Sequence, residues 1–138
     1  MSADDLHRIP FLRLLGVELE AVAEGEVALG LTLGEDHLNS WGVAHGGVVM
    51  SLLDVAMARA GLSLPGVDPD SGAVTVEMKT SFFRPARGRL RVIGKALHRS
   101  TTMTYCEGEV FDGGGQLAAK ALGTFKYLRR LEGGARVG

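Results

Sequence analysis

Residues 45–62 form this chain's one long stretch of helical periodicity, and that stretch is apolar on almost every side. Val49, Leu52, Leu53, Ala56, Met57 and Ala60 recur at three- and four-residue steps and cover most of the circumference. A helix of that kind cannot rest on a surface; it has to be covered. The rest of the chain supplies almost nothing but strands to cover it. The fold class that follows is α+β, one buried helix wrapped by about six antiparallel strands.

Those strands are read from alternation. Residues 17–33 alternate through Val17, Leu19, Val27, Leu29, Leu31 and Leu33, with a hairpin turn at Glu24-Gly25. Residues 34–44 form a polar loop. Pro65 and the run Asp68-Pro69-Asp70-Ser71-Gly72 end the helix. Strands are predicted at 73–83, 90–98, 102–111 and 117–127. In the first of these, Val74, Val76, Met78 and Thr80 alternate with Thr75, Glu77, Lys79 and Ser81, which predicts one wet face. Residues 1–15 read as an N-terminal helix or arm capped by Asp4 or Asp5, starting late or kinked at Pro10. Residues 129–138, rich in Gly and Arg, predict a disordered tail.

The 138 residues suit one domain, and 46% hydrophobic residues allow a real core. A net charge of −1 gives no pull toward nucleic acid or anionic membrane. His45, Asp54 and Arg59 interrupt the best candidate for a membrane span. The single cysteine, Cys106, cannot form an internal disulfide, and the first residues lack an apolar signal core; both predict a cytoplasmic protein. The four histidines and one cysteine show no metal-ligand spacing.

Chemistry concentrates in His37-Leu-Asn39-Ser-Trp-Gly42-Val-Ala-His45-Gly46-Gly47 and the helix after it. Two glycines at a helix start expose backbone N–H groups that point outward unpaired and favour negative charge. Asp54 is an acid where a core residue is expected, so it needs a partner or a task. Together they predict a site that stabilises an oxyanion and supplies a carboxylate.

The spacing H-x-N-x-x-G-x-x-H-G-G followed by L-x-x-x-D, with Phe83-Arg84-Pro85-Ala86 after the third strand, resembles the hotdog-fold acyl-CoA thioesterases. The phenylacetate-pathway branch is the closest in pattern. The resemblance covers about residues 14–127 and implies that the covered helix sits in a hotdog fold. It implies hydrolysis of an aryl- or alkyl-acyl-CoA to free acid and coenzyme A, with no cofactor beyond the coenzyme A of the substrate. It matches Asp54 to the catalytic nucleophile or general base, and the Gly46 N–H to the oxyanion donor. Asn39 matches the polar residue beside the thioester, His45 the histidine near the carbonyl, and Thr75 a hydroxyl that places water. A homotetramer is the family's usual assembly.

Helix geometry adds a constraint. Gly46 and Asp54 are eight residues apart, about 12 Å along one helix axis. An Asp side chain cannot bridge that, whereas a two-fold dimer sets Gly46 of one chain against Asp54 of the other. The predicted site is therefore composite, and the protein at least a homodimer.

Substrate contacts are expected from Gly47, Phe82, Phe83, Arg84, Pro85 and Arg87, with Met50, Leu53 and Met57 as further candidates for the acyl pocket. Arg84, Arg87, Arg89, Arg91, Lys95 and Arg99 form a basic run without an acid, suited to coenzyme A phosphates, with His98 and Ser100 beside it. Two other functions compete. A hotdog hydratase or dehydratase needs a His–carboxylate pair at a different spacing, and a non-catalytic acyl-CoA binding module does not need Asp54.

Overall fold

The computed structural model describes residues 1–131 and Gly133. The N-terminal arm is two short helices, α1 (Ala3–His7) and α2 (Pro10–Leu15). Ser2 caps α1 by accepting from the Asp5 N–H, and the Asp5 carboxylate accepts the Ser2 N–H in return; neither expected aspartate is the cap residue itself. Pro10 opens α2 at a position where its missing N–H costs nothing, so the break falls just before it. Gly16, at φ 80°, ends the arm.

Strands β1 (Glu18–Ala23) and β2 (Glu26–Thr32) form the expected hairpin, with Gly25 at φ 74° in the turn. Helix α3 (Gly46–Leu62) follows, then β3 (Gly72–Phe82), β4 (Arg89–Arg99), β5 (Met103–Phe111) and β6 (Leu117–Leu128). All six strands join one sheet in the order β1-β2-β4-β5-β6-β3, and every neighbouring pair is antiparallel. The expected disorder of 129–138 falls mostly outside the described residues.

The sheet carries α3 on one face. Leu52, Leu53, Ala56, Met57 and Ala60 are buried there against Leu29, Leu90, Val92, Val110 and Phe125. Glycine sets how close the layers come. A Cβ on Gly94 of β4 would lie 2.3 Å from the Ala56 carbonyl, so helix and strand backbones touch. From the helix side, a Cβ on Gly61 would lie 2.5 Å from Thr104. The Tyr127 hydroxyl, donating to the Gly61 carbonyl at 2.7 Å, ties the end of α3 to β6.

Strand β3 departs from the simple alternation. Thr75 pairs with Phe125, but Glu77 pairs with Thr124, so Val76 is an extra residue in a bulge. Phe125 is fully buried under the helix, whereas Thr124 lies on the opposite face and donates its hydroxyl to Glu77 at 3.0 Å. Thr75 therefore faces α3 although Glu77 does not. The expected single wet face is corrected by this bulge: Val74 and Val76 are 38% and 54% exposed, on an edge strand whose outer side is paired with nothing among the described residues.

Candidate active site

The loop between β2 and α3 is held by its own polar side chains. His37 accepts the Gly34 N–H on Nδ1 at 2.9 Å, leaving Nε2 to donate to the Leu15 carbonyl at 2.7 Å. Its own carbonyl takes the His45 N–H at 2.8 Å. The Asn39 Oδ1 accepts from the N–H groups of Trp41 at 2.9 Å and Val43 at 3.3 Å, and Gly42 turns the chain at φ 72°. This loop delivers His45 to the N-cap of α3, which is why the helix begins one residue later than the sequence pattern suggests.

Four N–H groups open any helix without an intrahelical partner. Here the Gly47 N–H goes to His45 Nδ1 at 2.9 Å, and those of Val48 and Val49 go to the His45 carbonyl at 2.9 and 3.2 Å. Among the described residues no acceptor meets the Gly46 N–H. Gly46 also lines a cavity of about 600 Å³, together with Asn39, Trp41, Phe82, Phe83 and Arg84. The Phe82 ring would stand 3.6 Å from a Cβ at position 46, so it packs against Gly46 in this cavity.

Asp54 sits two turns further along α3, half-buried and outside the residues that line this cavity. Thr75 donates its hydroxyl to Oδ1 of Asp54. Burial pushes the Asp54 carboxyl above the ordinary aspartate value, and the Thr75 hydroxyl partly offsets that.

The remaining expected residues divide between two ends of the molecule. Phe82, Phe83, Arg84, Pro85 and Arg87 line the Gly46 cavity, with Arg84 bonded to the Gln116 side chain. Gly47 is exposed beside it. His98 is stacked with Tyr105, ring centroids 6.1 Å apart, and lies with Arg99 and Ser100 at the far end of β4. Arg99 donates to the Pro65 and Ser100 carbonyls, and the Ser100 hydroxyl accepts the Met103 N–H in the turn. Eleven residues of strand, on the order of 30 Å, separate these groups from Arg87.

The basic run is therefore not one patch. Arg89 reaches across Gly30 of β2 to Glu18 and Glu20 at 3.0 and 3.2 Å, and Arg91 meets Glu20 at 3.0 Å. Leu53 and Met57 are fully buried in the core and do not line the cavity. Trp41, Val43, Ala44, Val49, Ala118 and Ala119 also line it, and none of them was expected as a substrate contact. The last two come from β6, more than seventy residues after the motif, and only folding brings them there.

Among the described residues no three or more His, Cys, Asp or Glu side chains are grouped to hold a metal ion. No helix among them is long and apolar enough to cross a membrane.

The family model for the thioesterase superfamily matches residues 42–119, the stretch that contains Gly46, Asp54 and Thr75. A Saccharolobus solfataricus protein carried under a provisional esterase name is 31% identical over 118 residues, covering 85% of this chain and 82% of its own. The structure of a conserved protein from Pseudomonas aeruginosa superposes with a TM-score of 0.83 at 31% identity, over 93% of this chain and 100% of that one. PaaI of E. coli, from the phenylacetic acid degradation operon, shares the fold at a TM-score of 0.75 and 23% identity, over 84% of this chain and 82% of its own. With its hotdog architecture of one helix held by a six-stranded antiparallel sheet, the chain belongs to the thioesterase superfamily and is a thioester hydrolase.

Proposed function

We propose that this enzyme hydrolyses acyl-CoA thioesters at sites built from two chains, in the manner of the phenylacetate-pathway branch. One observation carries the reading: the unpaired Gly46 N–H opens into a cavity that Asp54 of the same helix does not line. A thioester carbonyl placed at Gly46 needs its carboxylate from elsewhere. A two-fold related copy supplies it, setting its own Asp54 and Thr75 opposite Gly46.

The edge of β3 supports such an assembly. It offers eleven residues of strand with an unpaired outer side and exposed Val74, Val76 and Phe82, a surface that pairs readily with another copy of itself. Two dimers joined into a tetramer complete the assembly usual among similar enzymes.

In this arrangement the Gly46 N–H receives the carbonyl oxygen as it becomes an oxyanion, a contact worth about 3–4 kcal/mol in a preorganised site. His45 is a positioning residue: it caps the next N–H and leaves that of Gly46 free. Asp54 acts on the carbonyl carbon directly or through a water, and both routes need it ionised. Asn39 shapes the loop that forms the cavity wall. Arg84 and Arg87 stand at the exposed edge, where the diphosphate of coenzyme A leaves the site. The products are the free acid and coenzyme A, and the proton released passes through Asp54 to water or to the thiolate.

The reading is tested by following free thiol from a panel of aryl- and alkyl-CoA esters with the unaltered protein and Asp54→Asn. Thiol release by the former and its loss in the latter are expected. Equal release by both removes Asp54 from the chemistry. Label found in Asp54 after a single turnover in ¹⁸O-labelled water identifies the direct route, with water opening the mixed anhydride at the Asp54 carbonyl.

A further inference from the structure

We propose that Trp41 is a specificity-determining residue: its indole forms the wall of the Gly46 cavity that grips a bulky apolar acyl group. The enzyme then hydrolyses such thioesters in preference to short ones. The inference rests on the acyl-CoA reading above and extends it to the acyl half of the substrate.

The chain has one Trp, two Tyr and five Phe, and three of these rings, Trp41, Phe82 and Phe83, line this single cavity. Phe82 and Phe83 are about half exposed, but 85% of the Trp41 surface is open. A large apolar ring in that state is common on a loose loop. This loop is not loose. The Trp41 N–H is held by the Asn39 side chain, the Asn39 N–H reaches the Val43 carbonyl at 2.9 Å, and Gly42 fixes the turn. The backbone that carries the indole is thus fixed at the cavity rim, which lowers the cost of ordering the ring on something apolar.

Size and chemistry decide which half of the substrate that is. A cavity of about 600 Å³ is roughly 10 Å across if round. The extended pantetheine arm reaches on the order of 15 Å from sulfur to diphosphate. With the carbonyl at Gly46, the adenine ring of the same substrate falls beyond this cavity. The acyl group and the near end of the pantetheine arm both stay within that distance; the rings of Trp41, Phe82 and Phe83 match the apolar acyl group, and Arg84 and Arg87 match the coenzyme A side. Behind the rings, Ala44, Ala118 and Ala119 are small, buried residues that leave room for it.

The chain's only tryptophan is its own reporter. The full-length Asp54→Asn protein, which binds without turnover, is titrated with decanoyl-CoA, acetyl-CoA and free coenzyme A while indole emission is recorded. A shift to shorter wavelength with decanoyl-CoA and none with saturating coenzyme A is expected. An equal response to coenzyme A alone overturns the proposal, because the indole then reads the pantetheine half. Emission already characteristic of a buried indole before any addition also overturns it, because a second copy then covers Trp41.

Kinetics provide the independent arm. Trp41→Ala, altered at an exposed ring whose backbone bonds remain, is expected to lower kcat/KM for decanoyl-CoA about 10-fold or more. Acetyl-CoA should change less than about twofold, and Trp41→Phe should restore most of the loss. An unchanged ratio between the two esters overturns the proposal and leaves the hydrolase reading intact. No thiol release from any ester by the unaltered protein overturns that reading instead, and the emission titration still decides Trp41.

Discussion

The hydroxyl of Thr75 donates to Oδ1 of Asp54, linking an edge strand to the middle of the buried helix. The bond acts against burial: burial raises the carboxyl's pKa, and the donated hydrogen bond lowers it. Thr75→Val removes the donor, so the carboxyl rises further and less of it is ionised at a given pH. The acid limb of the kcat profile is expected to move to higher pH, and kcat at a fixed acidic pH to fall about 10-fold. Thr75→Ser should keep the original limb. Profiles of the three proteins check this, and coincident limbs would make Thr75 a spectator.

Asp54 itself is expected to trade stability for activity. Its folded-state pKa lies above the ordinary value of 3.8, so folding favours the protonated form. The charged form therefore destabilises the fold as pH rises through the raised pKa, and that cost vanishes below the unfolded value. Asp54→Asn should lose about 10³-fold in kcat. It should also melt at a higher temperature than the parent at pH 7, by a margin that closes toward about pH 4 and below. Thermal melts across that range supply the measurement; a less stable variant at pH 7 would contradict the sign.

Gly46→Pro isolates the proposed oxyanion contact. Position 46 is the first of the helix, where proline is well tolerated, and His45 at φ −61°, ψ 137° already has the extended backbone that precedes a proline. The cap bond from the Gly47 N–H is untouched. The variant should keep its circular dichroism and lose about 10²–10³-fold in kcat. Gly46→Ala retains the N–H, and its Cβ meets Phe82 at an ordinary 3.6 Å, so the loss should be smaller. Equal losses would mean that the N–H is not the donor.

Shared sites predict complementation. Gly46→Pro and Asp54→Asn chains, each inactive alone, are unfolded together and refolded. Random pairing makes half of the dimers mixed, and each mixed dimer has one intact site. About a quarter of the parent activity is expected to return. A mixture as inactive as its components would show that each chain carries a complete site.

Periodicity was enough to read the helix and the sheet. An apolar face every three or four residues marked α3, alternation marked the strands, and glycine or proline marked the turns. The spacing from Asn39 through Gly46 to Asp54 was legible because those residues lie on one loop and one helix. The walls of the cavity were not. Trp41 is flanked by motif residues and looks like filler, and Ala118 and Ala119 are ordinary strand residues until β6 is folded against β3. The basic run misled for the opposite reason. Its members are close in sequence, but an extended strand carries them apart and Glu18 and Glu20 neutralise Arg89 and Arg91.

The bulge at Val76 has the widest reach of any local feature. It works as a phase shift: residues after it keep one set of partners on β6, while those before it are rotated by half a period. Were Val76 paired in a regular ladder, Thr75 would share a face with Glu77 and its hydroxyl would point away from the helix. Loss of the Val76 codon would straighten the ladder with Thr75 still opposite Phe125 and Glu77 still opposite Thr124. Pairing Val76 with β6 would instead leave every side chain encoded yet unplug the Asp54 carboxylate from its donor. The unpaired state of this one residue, more than its identity, keeps the two halves of the proposed reaction centre in step.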